Sequence, residues 1–150
     1  MKLICALLMV MASSTCFAAI TNLPSQQCQL LEDSSRFRPI TKLPPSIVAL
    51  CADGNGRLAQ PGGKWEPTDV ISDASLPWKR LIWAAKTENY YVVHYERGGR
   101  GHSYHILVAT MENGEAKAIW RAVGDPFQNY AEFVKGLHTE ALADDVRYAY

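Results

Sequence analysis

The residues best placed by type and spacing to do chemistry lie between Tyr90 and His105, where Tyr90-Tyr91-Val92-Val93-His94-Tyr95-Glu96-Arg97 is followed by Gly98-Gly99-Arg100-Gly101 and His102-Ser103-Tyr104-His105. Two β-branched and aromatic runs around a glycine-rich turn read as a hairpin. With an even loop of two or four residues, Arg97 stands opposite His102, Glu96 opposite Ser103 and His94 opposite His105. Alternation then puts Tyr90, Val92, His94, Glu96, Ser103, His105 and Leu107 on one face, and Tyr91, Val93, Tyr95, Arg97, His102, Tyr104 and Ile106 on the other. A slip of one residue would break both sets.

In that register His94, Glu96 and His105 cluster near the hairpin tip. Two imidazoles and a carboxylate are the donor types of a zinc site. They are equally the parts of a general acid–base group with Ser103 beside it. The plain alternative is a hydrogen-bonded, solvated strand surface, and no HExxH helix supports the metal. The other face gathers Tyr95, Arg97, Arg100, His102 and Tyr104. Tyrosine and arginine combine large contact area with a polar end, which makes them frequent anchors of protein interfaces. The glycines join two strands and lead into no helix, so they form no phosphate loop. Nor is there a GxSxG elbow for a serine nucleophile. Trp65, Trp78, Trp83 and Trp120 read as sheet and core residues rather than a sugar platform, and no cofactor is implied.

The elements that must position these residues form a meander. Arg80 to Lys86 alternates Leu81, Trp83 and Ala85 against Arg80, Ile82 and Lys86, and Asn89 marks a turn. Strands then follow from Tyr90 to Arg97, His102 to Met111 and Ala116 to Val123, the last two joined at Asn113-Gly114. Short connections between consecutive strands require antiparallel pairing. Asp125-Pro126 reads as a helix start, and Phe127, Tyr130, Phe133, Val134 and Leu137 give an apolar stripe that packs on one face of the sheet. The fold class is therefore α+β: an antiparallel β-meander with a C-terminal helix packed on one face.

Upstream, Pro24, Pro39, Pro44 and Pro45 make residues 19–46 an extended segment, with a short helical turn around Gln26 to Glu32. Residues 47–150 form one α+β domain. In it Ile47 to Ala52 reads as a short strand running into an Asp53-Gly54-Asn55-Gly56 turn, which lacks the alternating carboxylates of a calcium loop. A second short strand is expected within Trp65 to Ile71, and a final segment around Val146 and Tyr148.

Residues 1–18 have the order of a secretory signal peptide: Lys2, an apolar run from Leu3 to Met11, and a small-residue exit cut after Ala18 with Cys16 at −3. Export to the periplasm or outside the cell is the expectation. Acylation of Cys16 is disfavoured by Ser13, where a lipobox has an aliphatic residue. The apolar run is too short for a permanent span. Of the four cysteines, Cys28 and Cys51 remain after cleavage, and an oxidising compartment pairs them as one disulfide worth about 3 kcal/mol. Lys plus Arg number 15 and Asp plus Glu 15. Such a balanced chain has no global field for nucleic acid or an anionic membrane surface.

Size, compartment and the lack of a catalytic motif point to a small exported binding protein, of the inhibitor or immunity type, that docks another protein of the cell envelope. Two alternatives stand beside it. One is a metal-assisted hydrolase using His94, Glu96 and His105. The other is a small-ligand carrier or envelope accessory protein with an apolar pocket between sheet and helix.

Overall fold

The computed structural model describes residues 22–145. The signal segment, Cys16 included, and the tail from Val146 lie outside the described residues. Six strands form one sheet in chain order, each antiparallel to the next: β1 (Arg38–Ile40), β2 (Lys79–Lys86), β3 (Tyr90–Arg97), β4 (Ser103–Glu112), β5 (Glu115–Gly124) and β6 (Leu142–Asp144). Among the described residues three α-helices accompany it, α1 (Ser25–Glu32), α2 (Pro45–Cys51) and α3 (Tyr130–Gly136), with a short 3-10 turn at Ser34–Arg36. The α+β meander read from the sequence is thus the observed fold, and its four long strands fall within about one residue of their expected ends. Asn113 and Gly114 turn β4 into β5 with φ of 52° and 83°, the left-handed pair that matches strand twist.

Both faces of the sheet are covered. Val92, Ile106, Val108, Trp120 and Ala122 meet Cys28 and Leu31 of α1, Phe133 of α3, and Phe37, Phe127 and Leu137. On the opposite face Leu81, Ala84, Val93, Tyr95, Leu107 and Ala109 meet Leu43 and, from α2, Ile47 and Cys51. A strand buried on both sides loses the in–out alternation of a half-exposed one, which is why β3 reads as an almost unbroken apolar and aromatic run.

Several local expectations are corrected. Residues 47–51 belong to helix α2 rather than to a strand, with Pro45 in the first turn, where a missing N–H costs nothing. Of the segment 19–46, the described part from Asn22 on is less extended than its prolines imply: the turn expected at Gln26 is the full helix α1, and Arg38–Ile40 forms an edge strand. Trp65–Ile71 carries no strand. Helix α3 starts at Tyr130, not at Asp125-Pro126. Its cap is Asn129, whose side chain accepts from the Glu132 amide at 3.0 Å, while Glu132 reaches back to the Gln128 amide at 2.8 Å. In β2 a bulge at Ile82 turns Leu81 to the α2 face and Trp83 and Ala85 to the α3 face. The Asp53 turn stands as expected. Its carboxylate accepts from the amides of Asn55 at 2.9 Å, Arg57 at 3.0 Å and Trp78 at 3.1 Å. Burial alone would raise its pKa, but these backbone donors outweigh burial and lower it.

The expected Cys28–Cys51 disulfide is not formed. Cys28 lies under the α1/α3 face and Cys51 under the α2 face, with the sheet between them. Cys28 Sγ donates to Glu32 Oε1 at 3.4 Å, and Cys51 Sγ to the Ile47 carbonyl at 3.4 Å. Burial pushes the Cys51 thiol up to about 11, so little thiolate exists at neutral pH. In the folded protein at pH 8 Cys51 is expected to resist iodoacetamide. In guanidinium without reductant, both Cys28 and Cys51 should be alkylated, as read by peptide mass spectrometry. A linked Cys28–Cys51 peptide would contradict this arrangement.

Candidate functional site

The β3–β4 hairpin closes at the pair Arg97 and Ser103, leaving five residues, Gly98 to His102, in the loop. Gly99 and Gly101 take φ of 105° and 83°, which only glycine adopts without strain. Gly98 lies against the backbone of Glu66 and Pro67, where a Cβ would collide, and its amide donates to the Trp78 carbonyl at 2.9 Å. An odd loop shifts the register by one from the expected pairing. His94 stands opposite Ile106, Tyr95 opposite His105 and Glu96 opposite Tyr104.

That shift separates the expected metal ligands. His94 and Glu96 remain on the α3 face, while His105 goes to the α2 face. Among the described residues no group of three or more His, Cys, Asp or Glu side chains is arranged to hold a metal ion. The expected interaction set divides as well. Tyr95 and Arg97 share the α2 face, but Tyr95 is 2% exposed. Tyr104 faces the other way, beside His102 at 4.8 Å between rings.

On the α3 face His94 is a core residue. Its Nδ1 lies 3.0 Å from the His105 carbonyl. Since a carbonyl only accepts, Nδ1 carries the proton and Nε2 is bare. Nε2 is buried without a hydrogen-bond partner, and burial lowers the imidazole to about 4. Glu96 ties parts together: Arg80 Nε donates to it at 2.6 Å, and His102 Nε2 lies 2.7 Å from its other oxygen. Arg80 in turn lies over the Trp65 ring at 5.0 Å, and Trp65 meets His102 at 5.3 Å. This network fastens the irregular 57–78 connection to the hairpin tip.

On the α2 face the tip bounds two adjoining cavities. The one of about 170 Å³ is lined by Trp78, Arg97, Arg100, Ser103 and the loop glycines. The other, about 300 Å³, shares Trp78 and Arg97 and adds Lys79 and the Asp53 turn. Arg97 is half-buried and Arg100 exposed, and neither makes an ion pair with a carboxylate among the described residues. Lys79 donates to the Ala52 carbonyl at 2.8 Å, and burial, reinforced by the Arg97 and Arg121 charges, lowers its pKa.

Behind the smaller cavity Ser103 Oγ lies 2.8 Å from His105 Nε2, and His105 Nδ1 lies 3.2 Å from Asp145 Oδ2. The carboxylate only accepts, so His105 donates from Nδ1 and accepts the Ser103 hydroxyl at Nε2. The side chains of His105 and Asp145 are 1% and 2% exposed. The Tyr95 ring stacks on the His105 ring at 5.1 Å with 13° between planes. Ser103 and His105, two apart on one strand, share a face as the sequence implies. Asp145 carries no signal in the sequence, because it reaches them only through the β5–β6 pairing.

The space between the sheet and α3, where a carrier would hold its ligand, is occupied by Trp83, Phe127, Phe133 and Leu137. No helix among the described residues is long and apolar enough to cross a membrane. No protein-family model, curated protein or solved structure matches this chain.

Proposed function

We propose that this chain is a small exported protein that docks another protein of the cell envelope through the α2-face side of its β3–β4 hairpin end, as an inhibitor or immunity protein does. The observation that carries the reading is the pair Arg97 and Arg100, guanidiniums unneutralised by any carboxylate among the described residues, beside Trp78 in a groove. Charged groups left without counter-charge at a concave, rigidly backed site favour a partner that supplies carboxylates. The sheet, packed on both faces, holds the loop in place, so little ordering entropy opposes docking. Tyr95 drops out of the contact set through burial, and His102 and Tyr104, packed ring against ring, are not part of the groove lining.

The test is capture of an envelope partner by the mature protein, followed by its measured affinity for Arg97→Ala and Arg100→Ala proteins. Removing such an anchor is expected to weaken binding by more than about tenfold, with unchanged melting temperatures and a steeper loss of affinity at high salt in the native protein. Equal affinities for native and variant proteins would refute the reading.

A further inference from the structure

We propose that Ser103, His105 and Asp145 form a nucleophilic acyl-transfer site that hydrolyses small carboxylic esters carrying a negative charge. The Ser103 hydroxyl and His105 Nε2 are at 2.8 Å, and His105 Nδ1 and Asp145 Oδ2 at 3.2 Å. This is the hydrogen-bond order that activates a serine: hydroxyl to imidazole, imidazole to carboxylate. Such a constellation is recognised by geometry and roles rather than by chain order. Its parts are held from several sides. Tyr95 stacks on the His105 ring, His94 Nδ1 donates to the His105 carbonyl, and the Asp145 amide donates to the Arg121 carbonyl at 2.9 Å. His105 and Asp145 are shielded from water, whereas Ser103 alone of the three lines the 170 Å³ cavity.

The chemistry balances without a co-reactant. Ser103 Oγ bonds to the ester carbonyl carbon while its proton passes to His105 Nε2. The bond from that carbon to the leaving alkoxide then breaks, and the alkoxide takes the proton from His105. Water next attacks the acyl carbon, giving a proton to His105, and the acid departs as Ser103 Oγ recovers that proton. Asp145 is a positioning residue that keeps Nδ1 protonated and Nε2 facing the serine. Arg97 and Arg100 line the same cavity and supply positive charge for the oxyanion and for an anionic substituent. The small cavity admits a short acyl group.

This goes beyond the docking reading, and the two fail separately. Serine labelling and esterolysis are measured on the purified protein with no partner present, so either reading can fail while the other stands. The mature protein is to be treated with a fluorophosphonate and, separately, with p-nitrophenyl acetate and p-nitrophenyl hemisuccinate. The expected result is one adduct on Ser103, absent from Ser103→Ala, whose melting temperature should show native folding because Ser103 is only half-buried. Hydrolysis should fall more than about 100-fold in Ser103→Ala, and Asp145→Asn should lower kcat with KM unchanged. Hemisuccinate should be preferred over acetate, and Arg100→Ala should erase that preference. An unlabelled Ser103, or hydrolysis that Ser103→Ala does not change, would overturn the proposal.

Discussion

Phe133→Ala is expected to lower the free energy of unfolding by about 3–5 kcal/mol, the range for an aromatic residue truncated inside a packed core. Phe133 is fully buried, with Trp83 and Phe127 each at 6.1 Å and Tyr130 at 5.5 Å between ring centroids. The vacancy cannot close easily, because Gly136 already lies against the Phe127 ring with no room for a Cβ. Helix α3 has seven residues, too few to be helical without its packed face. Against a total stability of about 5–15 kcal/mol for such a domain, the loss is severe. Urea unfolding followed by near-UV circular dichroism measures it. A loss below about 1 kcal/mol, outside the range for this truncation, would show that α3 does not depend on this side chain.

The second large effect is a pH dependence centred on His94. Burial holds the folded imidazole at about 4 against an ordinary 6.5. Between those values the unfolded chain binds a proton that the folded chain refuses, so stability rises with pH across the window. The contribution is fully present above about pH 6.5 and is lost as pH falls toward 4, amounting to roughly 3 kcal/mol at 1.36 kcal/mol per unit. Charges around the group do not reverse the sign. Glu96 on the same strand favours the cation, and so does the His105 carbonyl, but both are outweighed by burial. The rings packed on it from β2, β4 and the segment before α3 are Trp83, Tyr104 and Phe127. His94→Gln retains a donor for the His105 carbonyl and lacks the titration. The difference between native and variant profiles should therefore slope between pH 6.5 and 4 and be flat above. A flat difference throughout would contradict a buried neutral His94.

What the sequence disclosed follows from period and turn chemistry. The meander was legible because Asn89 and Asn113-Gly114 punctuate runs of strand length, and the α3 stripe because Tyr130, Phe133, Val134 and Leu137 repeat at helical spacing. Helix α2 was not legible as a helix: Ile47 to Cys51 is an unbroken apolar run, and a short run of that kind is compatible with a buried strand. The Pro44-Pro45 pair ahead of it held the better clue. The site was legible only in part, because its register hangs on the parity of a loop whose ends no residue marks. Counting His102 into the loop rather than the strand sends His94 and His105 to opposite faces. Tyr95, named as a contact residue, went to the core because α2 covers a face that the sequence left open. Asp145 was out of reach, since its proximity to His105 is purely tertiary.

The ordering of strands along the sheet has a kinetic side. Each of β2 to β5 pairs with its sequence neighbour through a short turn, so closing these hairpins confines little chain, and such local contacts form early. The layer over the α3 face is different. Tyr130 Oη donates to the Leu31 carbonyl at 2.8 Å across 99 positions, and the Asn22 amide to Asp144 across 122. Those bonds close long loops among the described residues, and the entropy of closure grows with loop length. By their span, the contacts of Asn22 with Asp144 and of Tyr130 with Leu31 are expected to follow the local hairpins of the sheet. The cover of the apolar row of Val92, Ile106, Val108 and Trp120 therefore depends on contacts between segments far apart in the chain, and a lesion in either segment would bare the same row.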